Sequence, residues 1–445
     1  MASLSSTPVL DLAQIISNAA LVITKSQLQD QMEQPSSNLH AATNGINGTV
    51  KKPRLPAAPP TKELLDAKAE LIQAASDLST LTLGPAMYLK SLSYGYHDIT
   101  ALSVVLEFGI ATAVPLHGDI SFQELSQIVG FDVGRLERIL RLLFVRKIFT
   151  ESRPGYVAHS TVSAYLAENK ELAAFLGHCT GEAFPAASRL TDSIRRYPYS
   201  EGPDQAGFNL ALDTPDPVFT FLSKHPERFH RFNLGMAGIS QTIGRSPKQV
   251  VEGWDWASLG KATVVDVGGG NGHISVALAQ AYPDLKLVVQ DLADAVQSGA
   301  DTLPSSLSDR VSFQAHDMFT VNPVDGAAVY YLRHILHDWP DSHALLILKA
   351  LVPVLKNGAR VLVSDSVIPP PGVLHGQDEK FVRYLDMQMM VLHNARERTE
   401  EDFRRLFEQA DARLRFQRVW RKGESVAASN ILEAKFIDDS VENGV

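Results

Sequence analysis

The sequence predicts an α/β protein in two parts: a mainly helical first part that carries a winged helix, and a second part built on a parallel sheet with helices on both faces. Three observations carry this. From Lys261 onward, short β-branched runs alternate with helical stretches, the pattern of βαβ units. Residues 62 to about 250 instead show apolar positions at helical spacing. The length of 445 residues also exceeds the usual size of one domain.

Taken in order, residues 1–33 place Val9, Leu12, Ile15, Ile16, Ala19, Val22 and Ile23 on one helical stripe, an amphipathic arm whose apolar face needs a partner. Residues 34–61 turn to Pro, Ser, Asn and Gly, the composition of a flexible linker. Residues 62–250 begin with the stripe Leu64, Leu65, Ala67, Leu71, Ile72, Leu78 and Leu81. Ser121-Phe122-Gln123-Glu124 is a capping box that opens a short helix ending near Gly130, and a second helix follows over 133–147. Two apolar runs around Pro154-Gly155 form a hairpin, so helix, turn, helix and wing make a winged-helix module. Within 251–437, strands are expected at 263–267, 287–289, 311–313, 329–331 and 361–363. The final pair, 414–420 and 430–436, has no helix between its strands and is expected to be an antiparallel hairpin; 438–445 is a tail.

Composition narrows the function. Hydrophobic residues at 45% and charged residues at 20% exclude a largely disordered chain or a fibrous repeat. The single cysteine, Cys179, allows no internal disulfide and no multi-cysteine metal site, so no metal is expected and a reducing, cytoplasmic setting is. No apolar run reaches the ~18 residues that span a bilayer, and no signal peptide is evident. A net charge of -9 argues against a general nucleic-acid binder. Arg135, Arg138 and Arg141 do share a face of the second winged-helix helix, but a solvated or subunit-facing face explains them better than a DNA contact.

The first strand of the second part runs into Asp266-Val267-Gly268-Gly269-Gly270-Asn271-Gly272, followed by a helix. Glycines at the carboxyl end of a first strand let backbone approach a ligand where open α/β sheets bind one. The G-x-G-x-x-G dinucleotide spacing is not met, because its third glycine falls on His273. The spacing D-x-G-x-G-x-G suits a ligand without a pyrophosphate. Asp291 closes the second strand, where a carboxylate can accept from both ribose hydroxyls. Asp317-Met318 follows the third, where one side chain can accept from an adenine amino group and the other pack on its ring. An adenosine-containing ligand fits this series.

With Asp266 to Gly272, Asp291-Leu292, Asp317-Met318-Phe319 and His337-Asp338-Trp339-Pro340-Asp341 in view, the chain resembles class I S-adenosylmethionine-dependent O-methyltransferases of the plant and fungal small-molecule type. The resemblance covers roughly residues 62 to 437; Gly155-Tyr156-Val157-Ala158-His159 and the run at 386–390 point to the fungal branch. It implies a Rossmann-like seven-stranded sheet, a winged-helix dimerisation domain and hence a homodimer. It also implies S-adenosyl-L-methionine as cofactor, with Gly268, Gly270, Gly272, Asp291, Asp317, Met318 and Arg333 around it; Arg333 stands where plant members carry a lysine.

Methylating a hydroxyl requires removal of its proton, and a phenol with a pKa of about 10 is mostly protonated at neutral pH. Histidine is the natural base. His334 and His337 both follow the fourth strand, three residues apart on one expected helical turn, and periodicity does not choose between them. The resemblance chooses His337, the histidine of the H-D-W motif, and adds Asp365 and Glu397 as the acids that orient it. Arg396 and Arg398 read as solvated charges. The resemblance further places Met387, Met390 and Asn394 around the acceptor, expected to be an aromatic or polyketide-type phenol. The same scaffold in some fungal pathways runs a non-methylating dehydration or pericyclic step, which the retained His337, Asp365 and Glu397 argue against.

Overall fold

The computed structural model describes residues 8–32, 61–239, 246–370, 373–374, 376–421 and 430–442. Apart from residue 61, the linker expected over 34–61 lies outside them. The chain forms two compact units: residues 1–181 with 375–380, and residues 182–374 with 381–445. This division falls before the change of pattern at about 250. The reason is packing: Ala183, Ala186, Phe208, Val218 and Leu222 from the helices after residue 182 share an apolar cluster with Val391 and Leu392 of the later chain.

In the first unit, helix Pro8–Met32 packs along helix Lys62–Ser93. Its Pro8–Leu28 stretch, with a mean hydropathy of 1.2, is long and apolar enough by length and composition to cross a membrane, where the sequence alone shows no such run because Asp11, Gln14 and Asn18 interrupt it. Helix Lys62–Ser93 is kinked where Gly84 takes φ 66° ahead of Pro85, which cannot donate to the helical ladder. Next come β1 (Ile120–Ser121) and helix Phe122–Val129. The Ser121 hydroxyl accepts from the Glu124 backbone N–H and the Glu124 carboxylate accepts from the Ser121 N–H, each at 3.1 Å. Helix Val133–Val145 buries Leu136, Leu140 and Leu143, and β2 (Phe149–Arg153) and β3 (Tyr156–His159) form the wing, in sheet order β1-β3-β2.

The second unit is a seven-stranded sheet. Its strands are β4 (Ala262–Val267), β5 (Leu285–Asp291), β6 (Val311–Ala315), β7 (Val329–Arg333), β8 (Arg360–Asp365), β9 (Leu414–Trp420) and β10 (Asn430–Phe436), in the order β6-β5-β4-β7-β8-β10-β9. Strands β4 to β8 are parallel, and β10 lies antiparallel between β8 and β9. Successive residues point to opposite faces, so Val265, Tyr330, Val361 and Val363 join one core while Val264, Tyr331 and Leu362 join the other. Burial on both faces explains why these strands read as continuous apolar runs. The strand order reverses between β4 and β7, and the crevice at such a reversal is where open α/β sheets hold ligands. The glycine loop after β4 and the histidine segment after β7 both begin there.

Candidate active site

The loop after β4 is shaped by backbone that only glycine adopts readily. Gly268, Gly270 and Gly272 have φ of 72°, 59° and 76°. A Cβ on Gly268 would sit 2.3 Å from Ile335 Cδ1, and one on Gly272 2.8 Å from the Phe313 ring. Beside Gly270 there is open space. Asp291, at the end of β5, accepts from the Gly270 N–H at 2.8 Å and from the Leu292 N–H at 2.7 Å, which leaves further acceptor capacity on both oxygens. Burial pushes its pKa up, against the lowering effect of those two N–H groups. Asp266 is buried beneath the loop and accepts from the Ser275 hydroxyl at 2.7 Å; burial raises its pKa to about 6, opposed by Ser275 and the Arg333 guanidinium. Asp317, exposed after β6, accepts from the Phe319 N–H at 3.0 Å, and half-buried Met318 packs against the core.

These residues suit S-adenosylmethionine. Carboxylates line the loop, which favours a cationic sulfonium nucleoside over an anionic pyrophosphate. The backbone beside Gly270 is open to a close approach, and Asp291 can accept from ribose hydroxyls.

After β7 the chain turns sharply. His334 takes φ 53°, and Leu336–Asp338 form a single helical turn, so the expected continuous turn from His334 is broken at its first residue. The two rings lie 5.4 Å apart, and the structure distinguishes them. His337 is buried and its Nδ1 lies 2.8 Å from Glu397 Oε1, which leaves Nε2 without a direct hydrogen bond among the described residues, 3.6 Å from Asp338 Oδ1. One ring nitrogen each from His334 and His337 and one Asp365 oxygen lie within 4.8 Å of one another. Asp365 ends β8 and is fully buried, and Glu397 Oε2 is buried with no hydrogen-bond partner among the described residues.

Burial alone would lower the pKa of His337, but the carboxylates of Glu397 and Asp338 outweigh it and push it up to about 10. Burial raises Asp365, against the pull of His337, and raises Asp338 to about 7. The result is a buried group in which His337, Asp338 and Asp365 all hold protons more tightly than usual.

Two features were not visible in the sequence. Arg398, expected in solvent, is fully buried: it donates to the Leu336 carbonyl, to the Trp339 carbonyl at 2.7 Å and to Asp341 Oδ1 at 2.8 Å. It fastens both ends of the His337 turn, partners that lie about 60 residues away in sequence. Arg396 is half-exposed and pairs with Asp402 at 2.8 Å. The segment is fixed from both sides, since Asp386 accepts from the Glu397 N–H at 3.0 Å and Thr399 caps helix Glu400–Ala410 in a reciprocal box with Asp402. The second feature is Asp338, whose Oδ1 lies 3.6 Å from Nε2 of both His337 and His393.

Of the expected acceptor-pocket residues, Met387 is exposed and Met390 half-buried on helix Gly376–His393. Asn394 takes φ 53°, and its Nδ2 donates to the carbonyls of Ser200 and Gly202 at 3.1 and 3.0 Å, so it anchors that loop.

A glycine loop beside a buried histidine–carboxylate group suits a small-molecule transferase. Comparison with known proteins agrees. Residues 190–412 match the model of the O-methyltransferase domain and residues 90–169 that of the O-methyltransferase dimerisation domain. The O-methyltransferase pyvH of Aspergillus violaceofuscus is 35% identical over 422 residues, 92% of this chain and 95% of its own length. The chlorophenol O-methyltransferase of Trichoderma longibrachiatum is 36% identical over 365 residues, 81% and 78% of the two chains. The crystal structure of OxaC with sinefungin and meleagrin superposes with a TM-score of 0.76 at 23% identity, covering 96% of this chain and 98% of that one. The chain belongs to the S-adenosylmethionine-dependent O-methyltransferase family, in its fungal secondary-metabolism branch.

Proposed function

We propose that the protein methylates a phenolic hydroxyl of a small aromatic or polyketide-type metabolite, with His337 as general base. The observation that carries this is the buried pair His337 Nδ1–Glu397 Oε1 at 2.8 Å, which fixes the ring and leaves Nε2 as the nitrogen free to take a proton. When bound, S-adenosylmethionine supplies an electrophilic methyl group on a sulfonium. Gly268, Gly270 and Gly272 give its backbone cradle, Asp291 and Asp317 its polar acceptors, Met318 an apolar contact and Arg333 a flanking charge.

His337 takes the acceptor proton at Nε2. Glu397 balances the imidazolium across Nδ1, and Asp365 further favours the protonated ring through space. The surrounding carboxylates raise the proton affinity of His337 to about 10, so the neutral ring that can accept a proton is a minor form at neutral pH and grows as pH rises. Arg398 keeps the turn in place, and Met387, Met390 and Asn394 border the acceptor.

The dimerisation domain supports a homodimer, as does an outer surface on helix Lys62–Ser93 where Leu81, Met87, Leu89 and Leu92 are exposed. We place the enzyme in the cytoplasm. Incubation with methyl-labelled cofactor and a panel of phenols tests the reading: label transferred to a phenolic oxygen is expected. A rearranged or dehydrated product carrying no label would replace it with a non-methylating step.

A further inference from the structure

One carboxylate stands between two histidines at the edge of the site. Asp338 Oδ1 lies 3.6 Å from His337 Nε2 and 3.6 Å from His393 Nε2. All three side chains are largely buried, at 9%, 14% and 8% exposure for His337, Asp338 and His393. His393 is the last residue of helix Gly376–His393, whose carboxyl end favours positive charge. Its ring lies against Phe219, centroids 5.4 Å apart, and an aromatic face at that distance also favours a cation. A carboxylate, a helix end and an aromatic ring therefore converge on one imidazole that has no place in the chemistry described so far.

The reaction leaves a proton to dispose of. The acceptor O–H bond breaks and an O–CH3 bond forms; the S–CH3 bond breaks with its electron pair returning to sulfur, and the sulfonium's charge is matched by one proton on His337. That proton must leave before the next turnover. The Nδ1 side is closed, because Glu397 is buried, and Asp365 behind it is buried as well. Asp338 is the most exposed carboxylate of the group, and its Oδ1 is equidistant from His337 Nε2 and His393 Nε2.

Resting on His337 as the base, we propose that Asp338 and His393 form a proton relay: Asp338 takes the proton from His337 Nε2 and passes it to His393 Nε2, which resets the base. His393 is a positioning residue in this scheme, since it acts through Asp338. The charged and titratable groups facing the relay are His337, Asp365 and Glu397 on the base side, with His334 beside them.

The test is solvent exchange of the His337 Nε2 proton, followed by NMR on the full-length, histidine-labelled protein saturated with S-adenosylhomocysteine. His393→Gln and Asp338→Asn are each expected to slow exchange at least tenfold, and added imidazole to restore it in His393→Gln. A merely structural role gives the opposite sign, since a loosened site exchanges faster. Unchanged or faster exchange in both variants overturns the relay. Methyl transfer by His337→Gln separates the two ideas: activity retained there removes the base, whatever the exchange rates show.

Discussion

Replacing Arg398 with Met should both loosen the fold and disarm the site. The side chain is wholly buried and donates to two backbone carbonyls, those of Leu336 and Trp339, that bracket His337. Hydrogen bonds to a charged group contribute roughly 1.5–3 kcal/mol each, so losing two costs about 3–6 kcal/mol. The third partner, Asp341, is 40% exposed, and that ion pair adds little after solvent screening. For a unit of this size each kcal/mol lowers Tm by about 2–4 °C, which predicts a fall of roughly 6–24 °C. At a temperature where the variant stays folded, kcat should also drop by about a hundredfold, the effect of a ~1 Å misplacement of a reacting group. Binding of S-adenosylhomocysteine should hardly change, because the glycine loop and Asp291 do not touch Arg398. Lys at 398 keeps the charge but not the planar fork, so it should fall between. The checks are thermal unfolding, methyl transfer and calorimetric titration. A Tm within 2 °C of wild type with unchanged kcat would refute the clamp.

Three further outcomes follow from the geometry. Gly268→Ala should weaken cofactor binding far more than Gly270→Ala in calorimetry: both positions have positive φ, at a cost of about 1–2 kcal/mol for any L side chain, but only at 268 does the new Cβ meet Ile335, 2.3 Å away. On pH, the folded-state pKa of His337 is raised to about 10 from an ordinary 6.5, so its contribution to stability is complete below about 6.5 and lost as pH rises through 10. The neutral base grows over the same window, so kcat/KM measured from pH 7 to 9 should rise about tenfold per unit while Tm declines, and His337→Gln should flatten the decline. Ser121→Ala removes the cap of helix Phe122–Val129 and should cost about 1 kcal/mol in thermal unfolding of the first unit, leaving transfer unaltered.

Much of the fold was legible because local signals and global packing agree. The capping box at Ser121, the wing around Gly155 and the apolar strand runs each form where their residues imply. The glycine loop was legible for a backbone reason, since positive φ at 268, 270 and 272 demands that residue. The pairing of His337 with Glu397 was legible only through the family resemblance, because by periodicity alone two histidines three residues apart look equivalent and the carboxylate that meets one lies 60 residues on. Arg398 reads as a surface charge because its neighbours in sequence are charged, whereas its partners are carbonyls, which leave no trace in a sequence. The unit boundary at 181 was hidden likewise: helices before the first strand give no sign that Val391 and Leu392 complete their core.

The most direct test of His337 as the base is methyl transfer by His337→Gln, with labelled cofactor and the best phenol of the panel, alongside calorimetric binding of S-adenosylhomocysteine. A loss of at least a hundredfold in kcat with cofactor affinity within about threefold of wild type is predicted. Transfer at the wild-type rate by a folded, cofactor-binding variant would contradict it.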